Sequence, residues 1–429
     1  MSDYIEIEGE KPLNGVVKIS GAKNAALPQL IATLLTAEQC EFENVPALED
    51  VSLTLHLLEH FGGQAARTSD KVKISVPHLL ASEASYSLVK ALRASFWVLA
   101  PLLARGRAAR VALPGGDKIG ARPVDMHLEG LAQMGADIKV KHGVVLATAV
   151  DGLRPADIQL RFPSVGATHQ LLMAAALVPG TSIIRGAARE PEVEALASML
   201  MQMGADIEGT GTATIIIRGK EELGGAKVRL IGDRIEAGTY LLAGAAAGGS
   251  VRVNGVNPLH FGEFLDLLSK MNLDLEYGDD YVQVTRAGDL KPVDAITGPF
   301  PRFATDLQAP LMAALCFASG ISTIEETVYE GRFGHVSELC RMGAKIQVDQ
   351  QFATIHGQSK MSGAEVDGHD IRAAASLVVA ALGSNGTSVI YEPHHLRRGY
   401  EALEAKFSNI GARIGYKITD PEDFVFTGC

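Results

Sequence analysis

Cysteine is scarce in this chain: four residues in 429, at positions 40, 316, 340 and 429, with no Cys-x-x-Cys pair. That excludes a disulfide scaffold and a cysteine-built zinc or redox motif, and it fits buried or incidental thiols in a reducing compartment. Long hydrophobic runs are missing too. Stretches such as LLMAAALVPG (171–180) are too short to cross a bilayer and read as buried helices, so no membrane partner is expected. The first residues, MSDYIEIEGEKPLNG, lack the apolar core of a signal peptide, which gives the expectation of a cytoplasmic protein. Positive charge is in deficit, with a net charge of −11. A nucleic-acid partner would demand the opposite balance, whereas a small anion needs only a few convergent cations. Four signatures are absent: G-x-G-x-x-G after an early strand, G-x-x-x-x-G-K-[ST], H-E-x-x-H and G-x-S-x-G. Dinucleotide oxidoreductases, P-loop ATPases, zincins and α/β-hydrolases therefore lose support.

What the chain does have is repetition. A helix-end signature recurs six times: LLEHFGGQA, LEGLAQMGADI, ASMLMQMGADI, LDLLSKMNLDL, SELCRMGAKI and AKFSNIGARI. It aligns Gly62, Gly135, Gly204, Asn272, Gly343 and Gly411, which are separated by 73, 69, 68, 71 and 68 residues. Apolar residues at helical spacing precede a residue suited to a left-handed cap, and an alternating strand such as ADIKV (136–140) or AKIQV (344–348) follows. In the same phase runs a second element, a small-residue helix, a turn and a strand, as in THQLLMAAALVPG–TSIIRG and AASLVVAALGSNG–TSVIYE. Alanine-rich faces let helices approach closely, so these helices are expected inside and the sheets outside. Six units of about 70 residues predict an α/β protein of two domains with three units each.

Polar clusters interrupt the pattern in five segments: GAKNAALP (21–28), LPGGDKIGARPVDMH (113–127), FPSVGATH (162–169), FPRFATDLQ (300–308) and HHLRRGYEA (394–402). With AAREPE, GDRIEAGT and SELCRMGA, they make the chain resemble the UDP-N-acetylglucosamine 1-carboxyvinyltransferases over essentially its whole length. The sister family, the 5-enolpyruvylshikimate-3-phosphate synthases, shares the fold but carries a different lysine motif near the amino terminus. The resemblance implies two inside-out α/β domains, residues 22–230 and residues 1–21 plus 231–429. It also implies an active site in the interdomain cleft, a mobile loop at 113–122, and no cofactor or metal.

By the same resemblance, the substrates are phosphoenolpyruvate and UDP-N-acetylglucosamine. Lys23, Arg122 and Arg398 match the cations that converge on the phosphate and carboxylate of phosphoenolpyruvate. Asp306 matches the residue that serves the sugar hydroxyl as general base or hydrogen-bond partner, although an Asp before a helix can equally be an N-cap. Asn24, Arg93, Pro123, Val124, Asp125, Met126, His127, Ser164, Val165, Gly166 and Val328 match substrate-holding positions. Arg189, Glu190, Arg332, Asp370 and Arg372 match charged cleft residues and read as structural or loop-positioning. His394 and His395, without further ligands, make no case for a metal.

Two positions depart from the family. Asp117 stands where the loop usually carries cysteine. A free carboxyl is mostly ionised at neutral pH, so as the proton donor to C3 it needs its acid form favoured by burial. No thiol is then present for fosfomycin to alkylate. Phe162 stands where a phosphate-binding lysine is common. Two other readings remain open: enolpyruvyl transfer to a different nucleotide acceptor, and a silent UDP-sugar-binding paralogue. Retention of Lys23, Arg122, Asp306 and Arg398 weighs against the silent form.

Overall fold

The computed structural model describes residues 3–90, 92–115, 119, 120 and 123–418. They form two compact units. Unit I comprises the described residues of 20–232 apart from Ile119 and Gly120. Unit II comprises 3–19, those two residues and 233–418.

Both units are built from one sheet plan. Among the described residues there are six four-stranded sheets, three per unit. In one of them, Asp157–Gln159 runs parallel to Gly180–Arg185. Thr214–Gly219 pairs antiparallel with the latter, and Asp206–Glu208 forms the antiparallel edge. The other five sheets repeat that order of one parallel and two antiparallel pairings. The chain's beginning is stitched into unit II. Tyr4–Glu8 lies between Thr387–Tyr391 and Arg413–Lys417, and Leu13–Lys18 runs parallel to Gly249–Asn254.

Strands alternate in burial, as in Thr214–Gly219, so each sheet offers one face to a core. The small-residue helices fill that core. Every residue of Gln308–Leu315 is buried, and so is all of Arg234–Ala247 and Ile371–Gly383 except the last residue of each. In unit I, Val165–Ala176 is the counterpart, buried from Ala167 onward. The helices are thus inside and the sheets outside, as the alanine-rich faces predict. Outer helices such as Glu49–His60 bury one side only, with Asp50, Val51, Thr54, Leu57 and Leu58.

All six aligned cap residues take positive φ: +98°, +96°, +112°, +67°, +96° and +100° for Gly62, Gly135, Gly204, Asn272, Gly343 and Gly411. At Gly135 the amide donates to the Ala132 carbonyl at 2.9 Å, and Ala136 donates to Leu131 at 3.1 Å, closing the helix end. This left-handed turn is what lets each outer helix reverse into the strand that follows.

Candidate active site

In unit II the polar centre is Asp306, in the short 3-10 turn Thr305–Leu307. The cap position there is Ala304, and the Asp306 carboxylate is directed to two guanidinium groups. Arg332 Nη2 donates to Oδ1 at 2.5 Å and Arg372 Nη2 to Oδ2 at 3.0 Å. Both arginines are nearly buried, at 6% and 7% exposure. Two cations on one carboxylate favour its ionised form, which can accept a hydrogen bond or a proton. Burial alone would lower the affinity of Arg372 for its proton, but Asp306, Tyr400 and Asp233 beside it outweigh that, and the guanidinium stays protonated.

Arg372 enters from the first turn of Ile371–Gly383. That turn is fixed by Asp370, whose Oδ1 accepts from the Arg372 and Ala373 amides at 2.8 and 2.9 Å. Asp370 is therefore a cap. Glu326, also buried, ties the surrounding loops together. Its Oε1 accepts from Thr297 Oγ1 and from the Val328 and Tyr329 amides, and its Oε2 from Thr305 Oγ1. The Val328 amide is thus already engaged within the protein. Arg398 follows the short helix His394–Arg397 and is half-buried, two residues before the buried Tyr400. Of the 113–122 loop, Asp117 lies outside the described residues, and so does Arg122. Ile119 belongs to unit II, its carbonyl accepting from the Gly331 amide at 3.0 Å.

In unit I the candidates gather around the start of Val165–Ala176. Ser164 caps it, its Oγ accepting from the Ala167 amide at 3.2 Å. The amides of Val165 and Gly166 belong to the first helical turn, whose donors have no partner within the helix. A Cβ on Gly166 would lie 3.0 Å from His127 Nε2, so a larger residue here needs the imidazole to give by a few tenths of an ångström. Trp97 Nε1 donates to the Gly166 carbonyl at 3.0 Å. His127 lies in Asp125–Gln133 and packs edge-on to Phe96. Burial lowers its imidazole to about 4, aided by Arg93, so it is neutral. His169 is likewise held at about 4 by burial. Its Nε2 donates to the Glu192 carbonyl at 3.3 Å.

Four of the other substrate-holding candidates flank this centre. Pro123 is exposed and Val124 and Met126 are half-buried. Asp125 pairs with Arg161, which also reaches Glu129 at 3.0 Å, and Arg161 is 53% exposed. Phe162 is 39% exposed, and its carbonyl accepts from the Ser164 amide at 2.7 Å. Lys23 opens the helix Lys23–Ala32, which has no side-chain cap, with the half-buried Asn24 next to it. The Lys23 ammonium is buried against Asp50 at 3.3 Å.

Sequence reasoning did not single out Asp50, Trp97, Thr239, Glu326 or Tyr400. Tyr400 lies inside the quoted HHLRRGYEA segment and Glu326 two residues before Val328. Asp50 follows Lys23 by 27 residues on another helix, and no local pattern marks that pairing.

The comparisons with known proteins agree with this architecture. The family model of EPSP synthase (3-phosphoshikimate 1-carboxyvinyltransferase) matches residues 7–407. The enolpyruvyl transferase NikO from Streptomyces tendae superposes with a TM-score of 0.88 at 26% identity, covering 98% of this chain and 100% of that one. An EPSP synthase from Acinetobacter baumannii shares the fold, with a TM-score of 0.75 at 18% identity, covering 97% and 100%. The chain belongs to the EPSP synthase family of enolpyruvyl transferases. Its curated relatives include the UDP-N-acetylglucosamine 1-carboxyvinyltransferases of Methylorubrum populi and Bartonella tribocorum. They are 46% and 45% identical to it over 96% of this chain and 99% of theirs. The chain is a transferase of that branch. Among the described residues no helix is long and apolar enough to cross a membrane.

Proposed function

We propose that this protein transfers the enolpyruvyl group of phosphoenolpyruvate to the 3-hydroxyl of UDP-N-acetylglucosamine and releases phosphate, the first committed step of peptidoglycan synthesis in the cytoplasm. The observation that carries the reading is the Asp306 carboxylate fixed by Arg332 and Arg372, in a chain whose full-length relatives at 45–46% identity bear that name. Asp306 accepts the sugar hydroxyl proton as the oxygen attacks C2 of phosphoenolpyruvate. Asp117 delivers a proton to C3, and a tetrahedral ketal forms. Loss of a C3 proton then expels phosphate and restores the double bond. Lys23, Arg122 and Arg398 hold the phosphate and carboxylate of phosphoenolpyruvate, since two anionic groups need convergent cations. The first-turn amides of Val165 and Gly166, beside neutral His127, suit the diphosphate of the sugar nucleotide, because a helix start presents oriented N–H groups to an anion.

An aspartate at position 117 leaves no thiol at that position, so fosfomycin forms no adduct there. The test is phosphate release from phosphoenolpyruvate with and without UDP-N-acetylglucosamine, repeated after fosfomycin preincubation. Acceptor-dependent release that survives fosfomycin supports both statements. Time-dependent inactivation overturns the resistance, and release that ignores the acceptor overturns the function.

A further inference from the structure

Behind Asp306 lies a hydrogen-bond chain that the proposed chemistry does not use directly. Tyr400 is a phenol only 2% exposed. Its oxygen lies 3.2 Å from Arg372 Nη1 and 3.0 Å from Thr239 Oγ1, and Thr239 Oγ1 lies 2.9 Å from the Ile235 carbonyl. The proton directions follow from what each group can do. A carbonyl only accepts and a guanidinium only donates. Thr239 therefore gives its proton to Ile235, and Tyr400 gives its own to Thr239. The Tyr400 oxygen is left to accept from Arg372. The other terminal nitrogen of Arg372 donates to Asp306.

We propose that Tyr400 is a positioning residue for the transfer reaction, fixing the guanidinium plane of Arg372 and, through it, the Asp306 carboxylate. The inference rests on the role proposed above for Asp306. A planar guanidinium held at one nitrogen has its other nitrogens fixed in direction, so a single acceptor behind Arg372 sets the angle at which Asp306 is met. Arg332 holds the second carboxylate oxygen, so each oxygen of Asp306 has its own guanidinium partner.

Among the described residues, several charged and titratable groups lie around this chain, and the buried Tyr240 feels Glu236, Tyr400 and Glu404. Asp306, Tyr400 and Asp233 act on Arg372. The Tyr329 ring lies 5.6 Å from the Arg332 guanidinium. His335, buried, feels Asp370, Arg332 and His369. A ring that merely filled the core would do so equally well without its hydroxyl, and that separates the two roles.

Tyr400→Phe keeps the ring and removes the oxygen. The expected result is a kcat at least about tenfold lower, with KM for UDP-N-acetylglucosamine within about twofold of wild type. The acid limb of the kcat–pH profile moves to higher pH, because a loosened Arg372 favours the Asp306 carboxylate less. Thr239→Val produces the same shift in smaller degree, and Thr239→Ser restores the wild-type profile. Tyr400→Phe with wild-type kcat and an unmoved acid limb overturns the proposal. So does a variant that loses thermal stability and activity together with no change in the pH limb. If Tyr400→Phe does not fold, the Thr239 pair decides: a Val variant with the wild-type profile overturns the inference. A wild type without acceptor-dependent phosphate release overturns the proposed function and this inference together. An active wild type leaves the function standing whatever Tyr400 does.

Discussion

Two buried helices in each unit begin with different chemistry, whereas Gln308–Leu315 of unit II begins without a side-chain cap. In unit II, Ile371–Gly383 begins at Asp370 and Arg234–Ala247 at Asp233, each carboxylate accepting two first-turn amides. In unit I, Val165–Ala176 begins at Ser164, whose hydroxyl accepts one, and Lys23–Ala32 begins at Ala22 with no side-chain cap. A carboxylate cap occupies the donors and places negative charge where the helix dipole is positive, closing the site to anions. A neutral cap leaves the site open to them. Unit II accordingly relies on guanidinium groups for its positive charge, and it pairs Arg332 and Arg372 with Asp306. Unit I offers amides, a buried ammonium and imidazoles that burial keeps neutral. One repeat therefore yields a carboxylate held by two guanidinium groups in one unit, and first-turn amides, neutral imidazoles and the Lys23–Asp50 pair in the other.

The largest expected effect separates buried from exposed ion pairs. Arg372→Ala leaves Asp306 with one guanidinium and Tyr400 without its donor, and is expected to destabilise unit II by about 3–5 kcal/mol. Arg161→Ala in unit I removes an exposed pair and is expected to cost less than about 1 kcal/mol. Denaturant unfolding of both variants checks this, and equal losses would erase the distinction between the two sites.

Acid is the next lever. His127, His169 and His335 are each held at about 4 in the folded protein, below the value of about 6.5 for an unfolded chain. The unfolded state therefore binds more protons between those values. The stability is present in full above about pH 6.5 and is lost as pH falls toward 4, by about 3 kcal/mol per histidine. Unit I carries two of these imidazoles and unit II one. Amide hydrogen exchange at pH 7 and pH 5 should show a greater loss of protection in Val165–Ala176 than in Gln308–Leu315. Equal losses in the two helices would contradict that asymmetry.

A smaller effect is expected at Gly166. Its alanine variant forces the His127 ring to give way, so KM for UDP-N-acetylglucosamine should rise about tenfold, about 1.4 kcal/mol, with kcat little changed. Steady-state kinetics with the sugar nucleotide varied would show it. A fall in kcat alone would move Gly166 from holding the substrate to its chemistry.

Much of this was legible in the sequence because it is local. The helix-end residues from Gly62 to Gly411 announced the six repeats, since a left-handed turn is written in one residue and its neighbours. The alanine-rich segments announced buried helices for the same reason. Ambiguity persisted where one residue type serves two roles. Asp306 and Asp370 each precede a helical turn, and only the fold shows that the second caps its helix while the first binds two arginines. Least legible were the long-range partners. Lys23 and Asp50 meet across two helices, and Thr239 and Tyr400 meet 161 residues apart in sequence. Such pairs are set by how helices pack, and no spacing rule along the chain encodes them.

Asp306→Asn, assayed for turnover and for UDP-N-acetylglucosamine binding by calorimetry in the same preparation, tests the division of labour most directly. The account predicts turnover at least about 100-fold slower, with the sugar nucleotide bound within about threefold of wild-type affinity. Turnover that survives the substitution, or binding that collapses with it, would contradict Asp306 as the acceptor of the hydroxyl proton and the helix start at Val165 as the holder of the nucleotide.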